Sequence, residues 1–137
     1  MRAWRTASEE ATQQLGRALA EERAPDGVLL LSGELGSGKT VLARGVAEAL
    51  GIDPRRVQSP TFTLIVEHQG ERGRLVHVDL YRLEFGEIGS LGLEELLAGP
   101  GVKVVEWAER LPWPVPGALR LVLSRLPGDE GREIHQL

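Results

Sequence analysis

The chain has no cysteine, which rules out a disulfide framework, and no apolar run near the about 18 residues of a membrane-spanning helix. Its first residues, "MRAWRTASEE", lack the apolar core of a secretory signal. The cytoplasm is therefore the expected compartment, with no bilayer crossed. An excess of basic charge is missing too. With a formal net charge of -4 the chain is poorly suited to grip nucleic acid unaided. At 137 residues it is too short for a nucleotide site plus a separate substrate domain, so one domain, residues 1–137, is expected.

What is present is an ordinary globular composition, 42% apolar and 26% charged, arranged in alternating helix-like and strand-like segments. "TASEEATQQLGRALAEER" reads as an amphipathic helix, with Thr6 and Ser8 as capping residues and Ala11, Leu15, Ala18 and Leu19 on one face. "VLLLS", residues 28–32, is a short buried strand, and "TVLARGVAEAL" is a helix closed by Gly51. "TFTLIVEH" and "GRLVHVDLYRL" flank the turn "QGERG", which is too short for a helical crossover and makes them an antiparallel hairpin. "SLGLEELLAG" predicts a short helix and "VKVVEW" another buried strand. "RLPWPVPG" is a stiff loop, and "ALRLVLSRL" with "GREIHQL" is a closing hairpin.

Between the first buried strand and the second helix stands "GELGSGKT", which matches G-x-x-x-x-G-K-[ST] in the strand-to-helix setting this phosphate-binding loop requires. The segment Gly33, Glu34, Leu35, Gly36, Ser37, Gly38, Lys39, Thr40 and Val41 is the expected nucleotide cradle. Gly36 and Gly38 let consecutive backbone N–H groups turn inward, Lys39 reaches the outer phosphates, and the Thr40 hydroxyl is offered to magnesium. The chain has no asparagine. It therefore cannot carry the N-K-x-D motif that commonly reads guanine, and ATP, with ADP as product, is the expected nucleotide.

Such a loop needs an acid at the end of a neighbouring buried strand to orient magnesium and its waters. Asp79 ends "LVHVD" and Glu106 ends "VKVVE", and both are candidates for the metal and catalytic roles. If Asp79 lies at the phosphate end, the hairpin brings the start of "TFTLIVEH" to the same end. Ser59, Pro60, Thr61 and Phe62 then lie beside the nucleotide, where the Thr61 hydroxyl can sense the γ-phosphate or the metal as a switch. Trp107 either stacks at the site or packs against a helix. Arg82 and Arg110 either reach phosphates or a partner, or are solvated. His68, His77 and His135 show no metal-ligand spacing.

The succession "GELGSGKT", "SPTFTL", "HVDLYRL", "GLEELL" and "VEWAERL" resembles the TsaE family, small bacterial ATPases also called YjeE that assist synthesis of threonylcarbamoyladenosine in tRNA. The resemblance runs from about Leu30 to Leu111. It implies an α/β fold of the P-loop kind, a three-layer sandwich whose mixed sheet holds the hairpin between the P-loop helix and the Asp79 strand. It implies ATP and Mg2+ as ligands and TsaD and TsaB as partners, with tRNA met only through that complex. By resemblance, Lys39 and Thr40 act in the loop, Thr61 in the switch-like segment, Asp79 on the magnesium side, and Glu106 with Trp107 at the last motif. One departure is Ala108, where the family pattern has proline.

A P-loop kinase for a small molecule needs an acceptor pocket and usually an arginine-bearing lid, for which this chain has little length. A partner-dependent ATPase switch fits better, and a nucleotide-binding module without turnover is the other alternative.

Overall fold

The computed structural model describes residues 1–58, 64–83, 92–128 and 130–137. Within them, seven strands are β1 (Ala3–Thr6), β2 (Val28–Ser32), β3 (Ile65–Gln69), β4 (Arg74–Asp79), β5 (Val102–Glu106), β6 (Leu119–Arg125) and β7 (Arg132–Gln136). The helices of more than one turn are α1 (Glu9–Arg23), α2 (Lys39–Ala49) and α3 (Leu93–Ala98). The strands form one sheet in the order β1-β7-β6-β2-β5-β4-β3. Neighbours from β6 through β2 and β5 to β4 are parallel, whereas β1–β7, β7–β6 and β4–β3 are antiparallel. The mixed sheet and both hairpins agree with the sequence reading.

β2 and β5 are apolar nearly throughout because both their faces are covered. On one face Leu29, Leu31, Leu75, Val102 and Val104 pack with Leu19, Leu42 and Val46 of α1 and α2. On the other, Val76, Val78 and Val105 pack with Leu93 and Leu97 of α3 and with the loop residues Trp113 and Val115. Each fully buried leucine contributes roughly 2 kcal/mol of transfer free energy. This three-layer arrangement holds the strand ends in register, and the C-terminal ends of β2, β4 and β5 all lie at one edge of the molecule.

α1 begins at its Ser8 cap, whose hydroxyl accepts from the Ala11 N–H at 3.1 Å, with Glu9 and Glu10 in the first turn favoured by the helix dipole. It lies unusually close to α2. A Cβ on Gly16 would fall 2.1 Å from the Leu42 carbonyl oxygen, and one on Gly45 would fall 1.8 Å from that of Gln13. Glycine at these two positions lets the helix backbones meet, which seats the N-terminus of α2 firmly at the end of β2.

β1 is not among the elements expected from the sequence, in which Thr6 stands as a helix cap. Thr6 instead ends β1, opposite Arg132 in β7. Four residues carry no periodic signal of their own, and their strand identity comes from a partner at the far end of the chain, as in the pair Ala3 and His135. No described helix is long and apolar enough to cross a membrane.

Candidate functional site

The loop after β2 turns on glycines with positive φ, Gly33 at 145°, Gly36 at 77° and Gly38 at 103°. At Gly33 a side chain is also barred by space, since its Cβ would stand 2.3 Å from the Leu123 carbonyl oxygen and 2.7 Å from Ser37 Oγ. Gly38 is the N-cap of α2 and its carbonyl accepts the first intrahelical bond, from Leu42 N–H at 2.9 Å. The unsatisfied N–H groups and positive dipole end of α2 therefore point out of the loop, as an anion site requires.

Lys39 folds back across the loop. Its ammonium donates to the carbonyl oxygens of Gly33 at 2.5 Å and Glu34 at 2.8 Å, and to Ser37 Oγ at 3.3 Å. It also stands 4.2 Å from the centre of the Trp107 ring, within cation–π range. Burial pushes its pKa below the ordinary lysine value, opposed by the carboxylates of Glu106, Glu109 and Asp79. None of those acids pairs with it directly at hydrogen-bond distance, so its charge remains available to an anionic ligand in the same cleft.

Thr40, next along α2, donates its hydroxyl hydrogen to the Glu106 carboxylate, with Oγ1 3.0 Å from Oε1 and 3.1 Å from Oε2. Glu106 is only 2% exposed and sits in register with Asp79 on β4, itself 5% exposed. The Asp79 carboxylate accepts from the Tyr81 backbone N–H at 2.9 Å. Strand alternation explains the convergence. Leu75, His77 and Asp79 on β4, and Val102, Val104 and Glu106 on β5, face the α2 side of the sheet, so both acids turn toward the first turn of α2.

A cleft of 310 Å³ opens here, bounded by Gly36, Lys39, Thr40, Val41, Glu106 and Trp107, with Leu35, Ser37 and Gly38 also on its wall. Glu34 contributes its backbone carbonyl to Lys39, while its side chain is exposed. Trp107 has φ 60°, a left-handed conformation rare for a bulky residue. That conformation turns its ring toward Lys39 and onto Tyr81, whose ring centre is 4.8 Å away. Arg110 joins this cluster, its guanidinium 5.9 Å from the Trp107 ring and its Nη1 donating to the Leu83 carbonyl at 3.1 Å. Arg82 is exposed. Thr61, with Ser59, Pro60 and Phe62, lies outside the described residues.

Three contributors were not legible as site residues. Arg132 lines the cleft, and its cross-strand neighbour Arg125 reaches to 3.6 Å from where a Cβ of Gly36 would lie. His77 is fully buried and its Nε2 lies 2.5 Å from Glu106 Oε2. Period-two alternation with Asp79 was the available signal for His77. For the arginines the signal was their place at the facing ends of the closing hairpin.

The donor set suits the expected ligands. Two buried carboxylates and a hydroxyl present oxygen alone, which matches a hard divalent cation such as magnesium. The glycine loop, helix N-terminus and Lys39 match a polyphosphate. A larger cavity, 720 Å³, lies at the opposite ends of β2 and β5 near Asp26, Lys103 and Trp113. Its glycines, Gly27, Gly99 and Gly117, belong to no G-x-x-x-x-G-K-[ST] loop, and the Lys103 ammonium there is already held by the carbonyls of Asp26 and Gly99 at 2.7 and 2.5 Å. The smaller cleft is the candidate site.

Residues 6–134 match the family model described as "Threonylcarbamoyl adenosine biosynthesis protein TsaE". Similar proteins include the tRNA threonylcarbamoyladenosine biosynthesis protein TsaE of Bacillus subtilis strain 168. It is 42% identical over 131 residues, covering 96% of this chain and 82% of that one. The protein of the same description from Nostoc sp. is 43% identical over 129 residues, covering 91% and 78%. Among solved structures, that of Bacillus subtilis YdiB superposes with a TM-score of 0.75 at 38% identity, covering 98% of this chain and 83% of that one.

Proposed function

Because the chain belongs to the TsaE family, whose members take part in tRNA threonylcarbamoyladenosine biosynthesis, we propose that it binds and hydrolyses ATP with magnesium as a switch in that pathway. The observation that carries this reading is the contact of Thr40 Oγ1 with both Glu106 oxygens, 3.0 and 3.1 Å away. It joins the phosphate-binding loop to a buried acid at the neighbouring strand end. That is the pairing a P-loop hydrolase uses to hold its metal.

Lys39 and the backbone N–H groups of the loop and α2 would hold the phosphates. Thr40, Glu106 and Asp79 would hold magnesium, which when bound neutralises charge on the phosphate oxygens. Glu106, hydrogen-bonded and almost fully buried, is the group best placed to orient an attacking water through its carboxylate. Trp107 covers the Lys39 side of the cleft and limits access of bulk solvent. Arg132 adds positive charge from within the chain.

The partners of the switch are TsaD and TsaB, and tRNA is met through them, in keeping with the net charge of -4. The test is ATP turnover measured for the protein alone, with TsaD, and with TsaD and TsaB together. Stimulation by the partners supports the switch. ATP binding with no turnover in any mixture overturns the ATPase reading, and a phosphorylated small-molecule acceptor would replace it with a kinase.

A further inference from the structure

The Glu106 carboxylate is held from two sides. Thr40 supplies a hydroxyl from α2, and His77 supplies Nε2 from β4 at 2.5 Å, through a ring that is fully buried. A carboxylate accepts, so the proton of this contact is on Nε2. Among the described residues His77 Nδ1, also buried, meets no hydrogen-bond partner, so an N–H placed there would be left orphaned. Among the described residues the ring is thus committed to a single polar contact, with Glu106.

A hydroxyl has one hydrogen and two lone pairs. While Thr40 gives its hydrogen to Glu106, its lone pairs are left for a cation. Glu106 can keep that hydrogen only if its own carboxylate stays in one orientation, and a carboxylate at the end of a glutamate side chain turns readily about its last torsion. The contact from His77 removes that freedom.

We propose that His77 is a positioning residue, whose Nε2–H fixes the Glu106 carboxylate so that Thr40 keeps its hydrogen on Glu106 and its lone pairs free for a divalent cation. This rests on the reading of Thr40 as a magnesium-side residue. His77 itself touches neither cation nor nucleotide. Partners that orient a metal-site residue typically change metal affinity by about 10- to 100-fold when removed.

The test is titration calorimetry of ADP into the purified full chain, with and without magnesium chloride, for the wild type and for His77→Gln and His77→Asn. Glutamine places an amide N–H near the position of Nε2, and asparagine is too short to do so. His77→Asn is expected to lose about 10- to 100-fold of the magnesium-dependent gain in ADP affinity, with binding in the absence of magnesium within about threefold of wild type. His77→Gln is expected to retain most of that gain, and His77→Asn is expected to add little once Thr40 is already alanine. Thermal unfolding checks each variant, and His77→Met, which fills space without a donor, replaces any asparagine variant that does not fold.

A magnesium-sensitive wild type with an equally sensitive His77→Asn overturns this inference alone. So does a glutamine variant that falls as far as the asparagine one, or an asparagine effect undiminished in the Thr40→Ala background. A wild type whose ADP affinity ignores magnesium overturns the metal-side reading, and the inference with it.

Discussion

Thr40 and Glu106 are 66 residues apart in the chain, yet Thr40 Oγ1 lies 3.0 Å from one Glu106 oxygen and 3.1 Å from the other. Their contact ties the first turn of α2 to the end of β5. A hydroxyl donating to a buried carboxylate in this position links two proposed functions, phosphate binding and metal binding, through one hydrogen. Thr40→Ala should therefore leave nucleotide affinity without magnesium nearly unchanged while removing most of the gain that magnesium brings. Equal magnesium dependence in variant and wild type, read by calorimetry, would remove Thr40 from the metal side.

Lys39→Ala should weaken ATP binding by about 10- to 100-fold, the typical worth of a charge-assisted contact to phosphate. The loop should also loosen, because Lys39 holds the carbonyls of Gly33 and Glu34. Unaltered affinity would contradict the assignment of the loop.

Asp79→Asn and Glu106→Gln are nearly isosteric and should preserve the fold. Turnover should fall by about a hundredfold in each if the acids position metal or water. The Glu106 variant should retain ATP better, since orienting the attacking water matters more in the transition state than in the ground state. Single-turnover and binding measurements on both variants separate the two effects, and full activity in both would remove the acids from catalysis.

Gly33→Ala should be costly although the added group is one methyl. Its φ of 145° is unfavourable for alanine, and the methyl would lie 2.3 Å from the Leu123 carbonyl oxygen. A loss of about 1–3 kcal/mol of stability together with weaker nucleotide binding is expected. Chemical denaturation of the variant checks the first, and a wild-type midpoint would show that the loop relaxes freely.

Thr61→Ala should reduce partner-stimulated ATP turnover much more than basal turnover if the segment around Ser59 acts as a switch. Equal losses in both rates would make Thr61 a plain metal-site residue. Wild-type rates that TsaD and TsaB leave unchanged would sink the switch altogether.

By itself the sequence determined what depends on local chemistry. "GELGSGKT" between an apolar run and an amphipathic helix marked the candidate phosphate loop, because its glycines, lysine and threonine stand within a few residues of one another. The short turn "QGERG" made the β3–β4 hairpin antiparallel, and two apolar runs ending in Asp79 and Glu106 marked the acidic strand ends. The TsaE resemblance was readable for the same reason, its motifs being contiguous. Tertiary structure decided what depends on pairing across the chain. β1 became a strand only by meeting β7, and Arg125 and Arg132 came to the loop only because the last hairpin closes beside β2. His77 lacked metal-ligand spacing and acquired its role only when β4 lay parallel to β5, with Asp79 beside Glu106. In that register the pleat turns the His77 ring and the Glu106 carboxylate to the same face, and burial leaves the ring no other polar contact among the described residues.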